Sequence, residues 1–425
     1  MPIPLRNLSP NIMVVFLFFL GTSWAEAPKF QLNVRDYGAA GDARADDREP
    51  FQKALDAAAS QGGGVVLVPA GTYRVEGSLK VPSGVTLQGI WETPHHEDQT
   101  WGSALFAVSG RDEPDGAPFI DLSPSSAVRG LKIFYPDQKM SDIRPYPYAI
   151  RGSGMEFAVE NVTLVNAYQG IDCSPGHELH NIRNVHGCVL RQGIIVDRCT
   201  DIGRIENVHF NPHFWARCVT PPGEAASFSP QDWQSLVDYL NENLEVFIFA
   251  RSDWEYVLNT FAWGFKICYK FIERGDGACN GNFLGIGADG GQHCLWVEKT
   301  QPPGLLITNG QFVAFAGKNP IEIVTTPEFR GVVQLSNCSF WGPTRQCVLQ
   351  QGKGVLSLNQ CNFREWGLGD PSVPAVEVTG GELTVSGCLF AKDQAHIRVG
   401  EKAGQAIIFG NRYAGQEKVE ILNNK

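Results

Sequence analysis

The chain has 425 residues, 43% hydrophobic, 19% charged and 11% aromatic, with 46 Gly and 26 Pro, enough apolar material for a large core, which excludes a disordered chain. Its 35 Lys and Arg against 45 Asp and Glu give a net charge of −10. That excludes long-range attraction to nucleic acid or an anionic membrane, while a local basic groove for an acidic ligand stays open.

In chain order, Arg6 precedes an apolar run over 12–20 that is too short to span a bilayer. Ser23 and Ala25 then stand at the −3 and −1 positions of a cleavage site, so residues 1–25 are expected to be a secretory signal, with an uncleaved anchor as the alternative. No later stretch is long enough for a transmembrane helix, and the mature domain, 26–425, is expected to be exported (periplasmic or extracellular), with no membrane partner after cleavage. Asp46 and Asp47 precede an apolar stripe of Phe51, Leu55, Ala58 and Ala59, which predicts a helix. Gly62, Gly63 and Gly64 stop it, and Val65-Val66-Leu67-Val68 opens a strand. Such a helix would hide the sticky end of a parallel stack.

From there the chain repeats itself. Asn161-Val-Thr-Leu164, Asn184-Val-His-Gly187 and Asn207-Val-His-Phe210 follow one another at 23-residue intervals. Phe340 and Phe363 keep the same interval, as do Phe390 and Tyr413. Units of that length cannot bury an apolar face alone, but stacked they share one core. The expected fold is all-β: a single-stranded right-handed parallel β-helix with an N-terminal capping helix and a helical insertion. A leucine-rich repeat is the structural rival, and its leucine consensus is missing. Cys338, Cys361 and Cys388 each stand two residues before a Phe, so they share its inward face as small buried hydrophobes. No Cys/His pattern has zinc spacing, and one or two disulfides remain open among the eleven cysteines. The sequons at Asn161 and Asn337 occupy repeated positions, which favours ladder asparagines.

A resemblance attaches to the N-terminal stretch. Val34-Arg-Asp36-Tyr-Gly38, Asp46-Asp47, the run from Gly62 to Tyr73 and Pro82-Ser83-Gly84-Val85-Thr86-Leu87-Gln88-Gly89 together resemble the pectate-lyase-like superfamily, in its rhamnogalacturonase/epimerase-like pectate lyase branch. The resemblance implies the right-handed parallel β-helix and an association with polysaccharides. It covers residues 32–90 closely and carries no catalytic residues. The motif blocks of family 28 polygalacturonases and of calcium-dependent pectate lyases are missing.

The repeat breaks between Phe210 and Phe283, and an insertion is expected over approximately 216–265, with a helix from Ser229 to Leu240. Insertions on repeat proteins shape binding surfaces. Counting past the repeated core position places Asp137 and Gln138, Tyr168, Arg191, and Trp215 in one column of successive coils. His213 joins its edge, Arg251, Asp253, Trp254 and Glu255 stand in the insertion, and Asp289 and His293 follow. Asp253, Glu255, Asp137 and Asp289 are the candidate catalytic carboxylates, because glycoside hydrolysis needs a proton donor and a second carboxylate. Gln138, Tyr168, Arg191, His213, Trp215, Arg251, Trp254 and His293 are the candidate substrate-binding groups, through ring stacking and charge-assisted bonds.

The expected function is a secreted carbohydrate-active enzyme that cleaves glycosidic bonds of an acidic, uronate-containing polysaccharide. A glycoside hydrolase is favoured over a polysaccharide lyase, and a non-catalytic carbohydrate-binding or adhesive β-helix is the alternative. The partner is then a polysaccharide or oligosaccharide and not a nucleic acid. No cofactor or metal is expected, with calcium at Asp276-Gly277 and Asp289-Gly290 as the weaker alternative.

Overall fold

The computed structural model describes residues 30–90, 102–220, 224–225 and 228–422. The expected signal at 1–25 lies outside the described residues.

Short strands of successive turns pair in parallel throughout, forming a parallel β-helix. The repeated core position becomes one continuous column. Leu105, Ile133, Leu164, Gly187, Phe210, Ala262, Ala288, Phe312, Phe340, Phe363, Phe390 and Tyr413 are each paired with the next. At the C-terminal end the column is a stack of rings. Phe340, Phe363 and Phe390 lie 4.7 Å apart with interplanar angles of 7° and 9°, and Tyr413 follows at 5.3 Å. Rings take this offset because adjacent strands are spaced at about 4.8 Å, the distance at which aromatic faces stack. Gly187 is the exception that close approach requires: at φ +148° its Cβ would overlap the Leu164 carbonyl.

The turn before this column is equally regular. Asn161, Asn184, Asn207, Asn259, Asn309, Asn337 and Gln360 all have φ between 51° and 59°. Asparagine enters this left-handed region more readily than other side-chain-bearing residues. Asn184 donates to Asn161 at 3.0 Å, Asn207 to Asn184 at 2.7 Å, and Asn337 to Asn309 at 2.7 Å. Both sequon asparagines therefore belong to ladders.

Helix α1 (Arg48–Ser60) buries Phe51, Ala54, Leu55 and Ala58 against the strands of the first turns. Asp47 does not cap it: its carboxylate instead accepts the Ala40 and Gly41 amides, at 2.6 and 3.1 Å. All eleven cysteines are buried and none is joined in a disulfide, so neither bridge left open by the sequence forms.

The interruption is shorter than the 216–265 expected. Helix α2 (His213–Ala216) and helix α3 (Pro230–Asn243) lie over strand Asn181–Val196, and coil pairing resumes at Glu245, opposite Gln192. Strands Ser252–Leu258 and Phe261–Trp263 continue the coil. The composition of 245–265 differs from the repeat, but its alternation still serves a coil, which is why counting composition overextended the insertion. Helix α3 opens with a reciprocal capping box between Ser229 and Asp232 and with Pro230 in its first turn. No helix among the described residues is long and apolar enough to cross a membrane.

Candidate functional site

Two grooves are lined from either side of the bend between strands Gly287–Gly291 and His293–Lys299. The first, about 430 Å³, is lined by Asn259, Phe261, Asp289, Asn309, Gln311 and Trp341 among others. The second, about 800 Å³, lies between α3 and the coil, with Asp238, Glu242, His293, Trp296, Phe315 and Lys318 around it. Gly290 stands at the bend with φ +77°, where a Cβ would sit 2.9 Å from Trp263 Nε1 and 3.4 Å from Phe315 Cζ. Trp263 and Phe315 thus close over the backbone that joins the two grooves.

Asp289 and His293 face these grooves from either side of the bend, and their environments shift them in opposite directions. Asp289 is half-buried, and among the described residues its carboxylate meets no donor and no cation. Burial alone holds it above the usual carboxylate range. The Nδ1–H of His293 donates to the Ile321 carbonyl at 3.0 Å, which leaves Nε2 with a lone pair and no partner among the described residues. Burial lowers this imidazole below its ordinary value. A carboxyl that retains its proton and a neutral imidazole are the two kinds of group that acid–base chemistry needs. Exposed rings flank the pair: Trp341 is 44% exposed and Phe315 42%, and the Trp296 ring lies 5.2 Å from that of His293.

The other expected site residues are placed elsewhere. Asp253 is committed to protein partners: Arg251 Nη2 donates to one oxygen at 2.8 Å and Gln301 Nε2 to the other at 2.6 Å. Trp254 points outward, 58% exposed, from a backbone at φ +68°. Glu255 is fully buried, accepting from Ser252 Oγ at 2.5 Å and from His180 Nε2 at 3.1 Å, where no polysaccharide reaches it. Desolvation opposes a charge on His180, but the adjacent Glu255 carboxylate wins and holds it up, to about 10.

The expected column also comes apart. Asp137 is exposed in a turn, whereas Gln138 is buried and clamps the Arg144 backbone through both ends of its amide, at 2.8 and 2.9 Å. Tyr168 packs against the core beside Tyr239 of α3. Arg191 donates to the Asn243 carbonyl at 2.8 Å, a cation at the C-terminal end of α3. Trp215 is buried on α2. Gln169 pairs with Gln192, so Tyr168 and Arg191 keep the expected step on neighbouring rungs under α3, but Asp137 and Gln138 stand in a turn and Trp215 in α2, outside that column. His213 does reach the insertion: its ring lies 4.8 Å from Trp233 of α3, and Trp233 stacks on Trp263 at 6.4 Å and 20°.

Phe315, Trp341, Trp296 and Lys318 were missed in the sequence. Their signal was the coil register, which sets Trp296 beside Lys270 and Val324 on one outward row. Also missed were His177, His180 and Cys199, which form the one group of three potential metal donors found among the described residues; Asp276 and Asp289 of the calcium alternative belong to none.

Comparison with known proteins locates the N-terminal resemblance. A family model described as Rhamnogalacturonase A/epimerase, pectate lyase-like, matches residues 31–113. Mannuronan C5-epimerase AlgE4 of Azotobacter vinelandii is 48% identical over 64 residues, which is 13% of this chain and 12% of that protein. Plasmin and fibronectin-binding protein A of Streptococcus pneumoniae is 31% identical over 156 residues, 33% of this chain and 21% of that one. The chain thus spans only a small part of either relative. Among solved structures, the N-terminal fragment of bacteriophage Phi29 gene product 12 superposes with a TM-score of 0.65 at 14% identity, covering 92% of this chain and 72% of that one, a likeness of fold alone. Residues 31–113 are thus similar to the rhamnogalacturonase A/epimerase, pectate lyase-like family model, and the parallel β-helix continues beyond them.

Proposed function

We propose that the protein is an exported carbohydrate-active enzyme that cleaves a polysaccharide lying across the bend at 289–293. The observation that carries this reading is a half-buried, unpartnered carboxyl held above its usual range and a neutral imidazole with a free Nε2, lining the grooves on either side of one bend. Asp289 protonates the departing glycosidic oxygen. His293 takes the proton that must leave, from water in a hydrolysis or from the carbon next to a carboxylate in an elimination. Trp341, Phe315 and Trp296 offer faces for sugar rings, and Lys318 offers a cation for a uronate.

Hydrolysis by two carboxylates, the mechanism the sequence favoured, draws no support from the first groove, where Asp289 is the one carboxylate among the lining residues. A uronate-containing polymer is the first substrate to try, because the epimerase relative is named for mannuronan. Incubation with uronate polymers, followed by assays for reducing ends and for ultraviolet-absorbing unsaturated ends, tests the proposal. Reducing ends alone indicate hydrolysis, both signals indicate elimination, and neither signal across the panel overturns the cleavage reading.

A second reading, a non-catalytic adhesive β-helix, rests on the similarity to plasmin and fibronectin-binding protein A. Retention on a glycan or a host protein without either product signal would favour it.

A further inference from the structure

A buried polar cluster lies outside the lining of both grooves. His177 is 4% exposed, and His180, Cys199, Ser252 and Glu255 are fully buried. These residues come from three successive turns of the coil: His177 bridges Cys199 in parallel, and Cys199 bridges Ser252. Twenty-two residues separate the first two rungs and fifty-three the next two, because α2 and α3 leave the coil between Cys199 and Ser252.

The hydrogen bonds determine which ring nitrogens carry protons. His177 Nδ1 lies 2.8 Å from the Pro175 carbonyl, which can only accept, so Nδ1 is the donor. His180 Nε2 lies 3.1 Å from the Glu255 carboxylate and is likewise the donor. The two remaining nitrogens, His177 Nε2 and His180 Nδ1, face each other at 2.9 Å, and the proton that His180 keeps beside Glu255 bridges them in the metal-free protein. A metal ion would take the place of that proton between the two ring nitrogens. Cys199 Sγ completes the set, with all three donor atoms within 4.8 Å of one another. Two ligands held about 2.0–2.1 Å from a tetrahedral zinc ion are about 3.3 Å apart, so a shift of a few tenths of an ångström at the rings would admit the metal.

We infer that His177, His180 and Cys199 form a zinc site that joins two successive turns of the coil, with Glu255 tying it to the next turn through His180. The donor set, two imidazoles and a thiolate, suits a borderline-soft divalent cation. The outer partners are in place as well. Each imidazole has its second ring nitrogen anchored, one on a carbonyl and one on a carboxylate, the arrangement that orients metal-binding histidines. Charge closes locally, because the Cys199 thiolate and the Glu255 carboxylate together balance a divalent ion in a dry interior. Phe157 stacks on the His180 ring at 6.1 Å and 20°, and a side chain at Gly203 would collide with both His180 and Glu255. A residue is thus kept small where the cluster needs room. The role is structural. The coil must recover its register after the excursion through α3, and the His180–Glu255 bond ties the first turn after it to the metal-fixed turns before it.

Glu255 acts in this site as a positioning residue, through His180. The test uses the full-length chain, loaded with zinc and then dialysed against metal-free buffer. One equivalent of retained zinc is expected by elemental analysis. Replacement by Co2+ should give the strong visible absorption of a tetrahedral site together with a thiolate-to-cobalt charge-transfer band. C199S should abolish that band, and E255Q should weaken zinc binding roughly 10–100-fold. If folded wild-type protein retains no stoichiometric zinc and its cobalt form has no thiolate band, a proton holds the two rings together and the inference fails. This measurement needs only the unmutated protein, so a variant that fails to fold does not obscure the result.

Discussion

The segment at 251–255 and the bend at 289–293 carry the same kinds of residue: an acid or two, a basic side chain and nearby aromatic rings. The structure uses them in opposite ways. At 251–255 both carboxylates are engaged, Asp253 by Arg251 and Gln301, Glu255 by Ser252 and His180. At 289–293 the carboxyl and the imidazole Nε2 are half-buried and unengaged, facing open grooves. The contrast teaches that residue type and local neighbours do not make a reactive site. What matters is which groups remain unpaired once the backbone and the neighbouring turns have taken their hydrogen bonds, since an engaged group must first lose a partner before it can serve a substrate.

The largest expected effect breaks the comparison most directly. D289N should reduce turnover on a responsive polysaccharide by about 10²–10⁴-fold, the range for loss of a general acid, while D253N should remain within a few-fold of the parent. Equal losses, measured as initial rates of product release, would erase the distinction. Next comes stability. Glu255→Ala leaves the buried His180 without its counter-charge and should cost about 3–5 kcal/mol in urea unfolding, whereas D253N removes a partly exposed ion pair worth about 0–1 kcal/mol.

The pH profile sharpens the contrast further. His293 is lowered and stays neutral further into acid, so activity should fall only as pH drops through that lowered value. Asp289 is raised and keeps its proton to higher pH than an ordinary aspartate, so activity should fall as pH rises through that raised value. The optimum then lies on the acid side of neutrality, and the residual activity of D289N should lose the alkaline limb. The smallest effect concerns the rings. F315A or W341A should each weaken substrate binding by about 0.5–1.5 kcal/mol, a few-fold to about ten-fold, read as a higher KM with little change in kcat.

Much of the architecture was legible in the sequence, because a β-helix writes its period into the chain. The 23-residue interval between Phe340 and Phe363 becomes a stack of rings, and the recurring asparagines become a ladder of left-handed turns, since both follow from one residue per rung. Helix α3 was legible from Ser229, Pro230 and its apolar face. The site was legible only in part. Asp289 and His293 were among the expected residues, but nothing in their spacing separated them from Asp253 and Glu255.

What the sequence determined by itself is therefore whatever repeats: period, inward face, turn conformation and the amphipathic helices. Only the tertiary structure decided which polar groups stayed free, and it did so through contacts with no fixed interval. Gln301 reaches Asp253 from 48 residues away, His180 reaches Glu255 from 75, and Asn243 takes Arg191 from 52. Such partners arise where an insertion or a bulge shifts the register, and a shift of a single residue turns a side chain to the other face of the sheet.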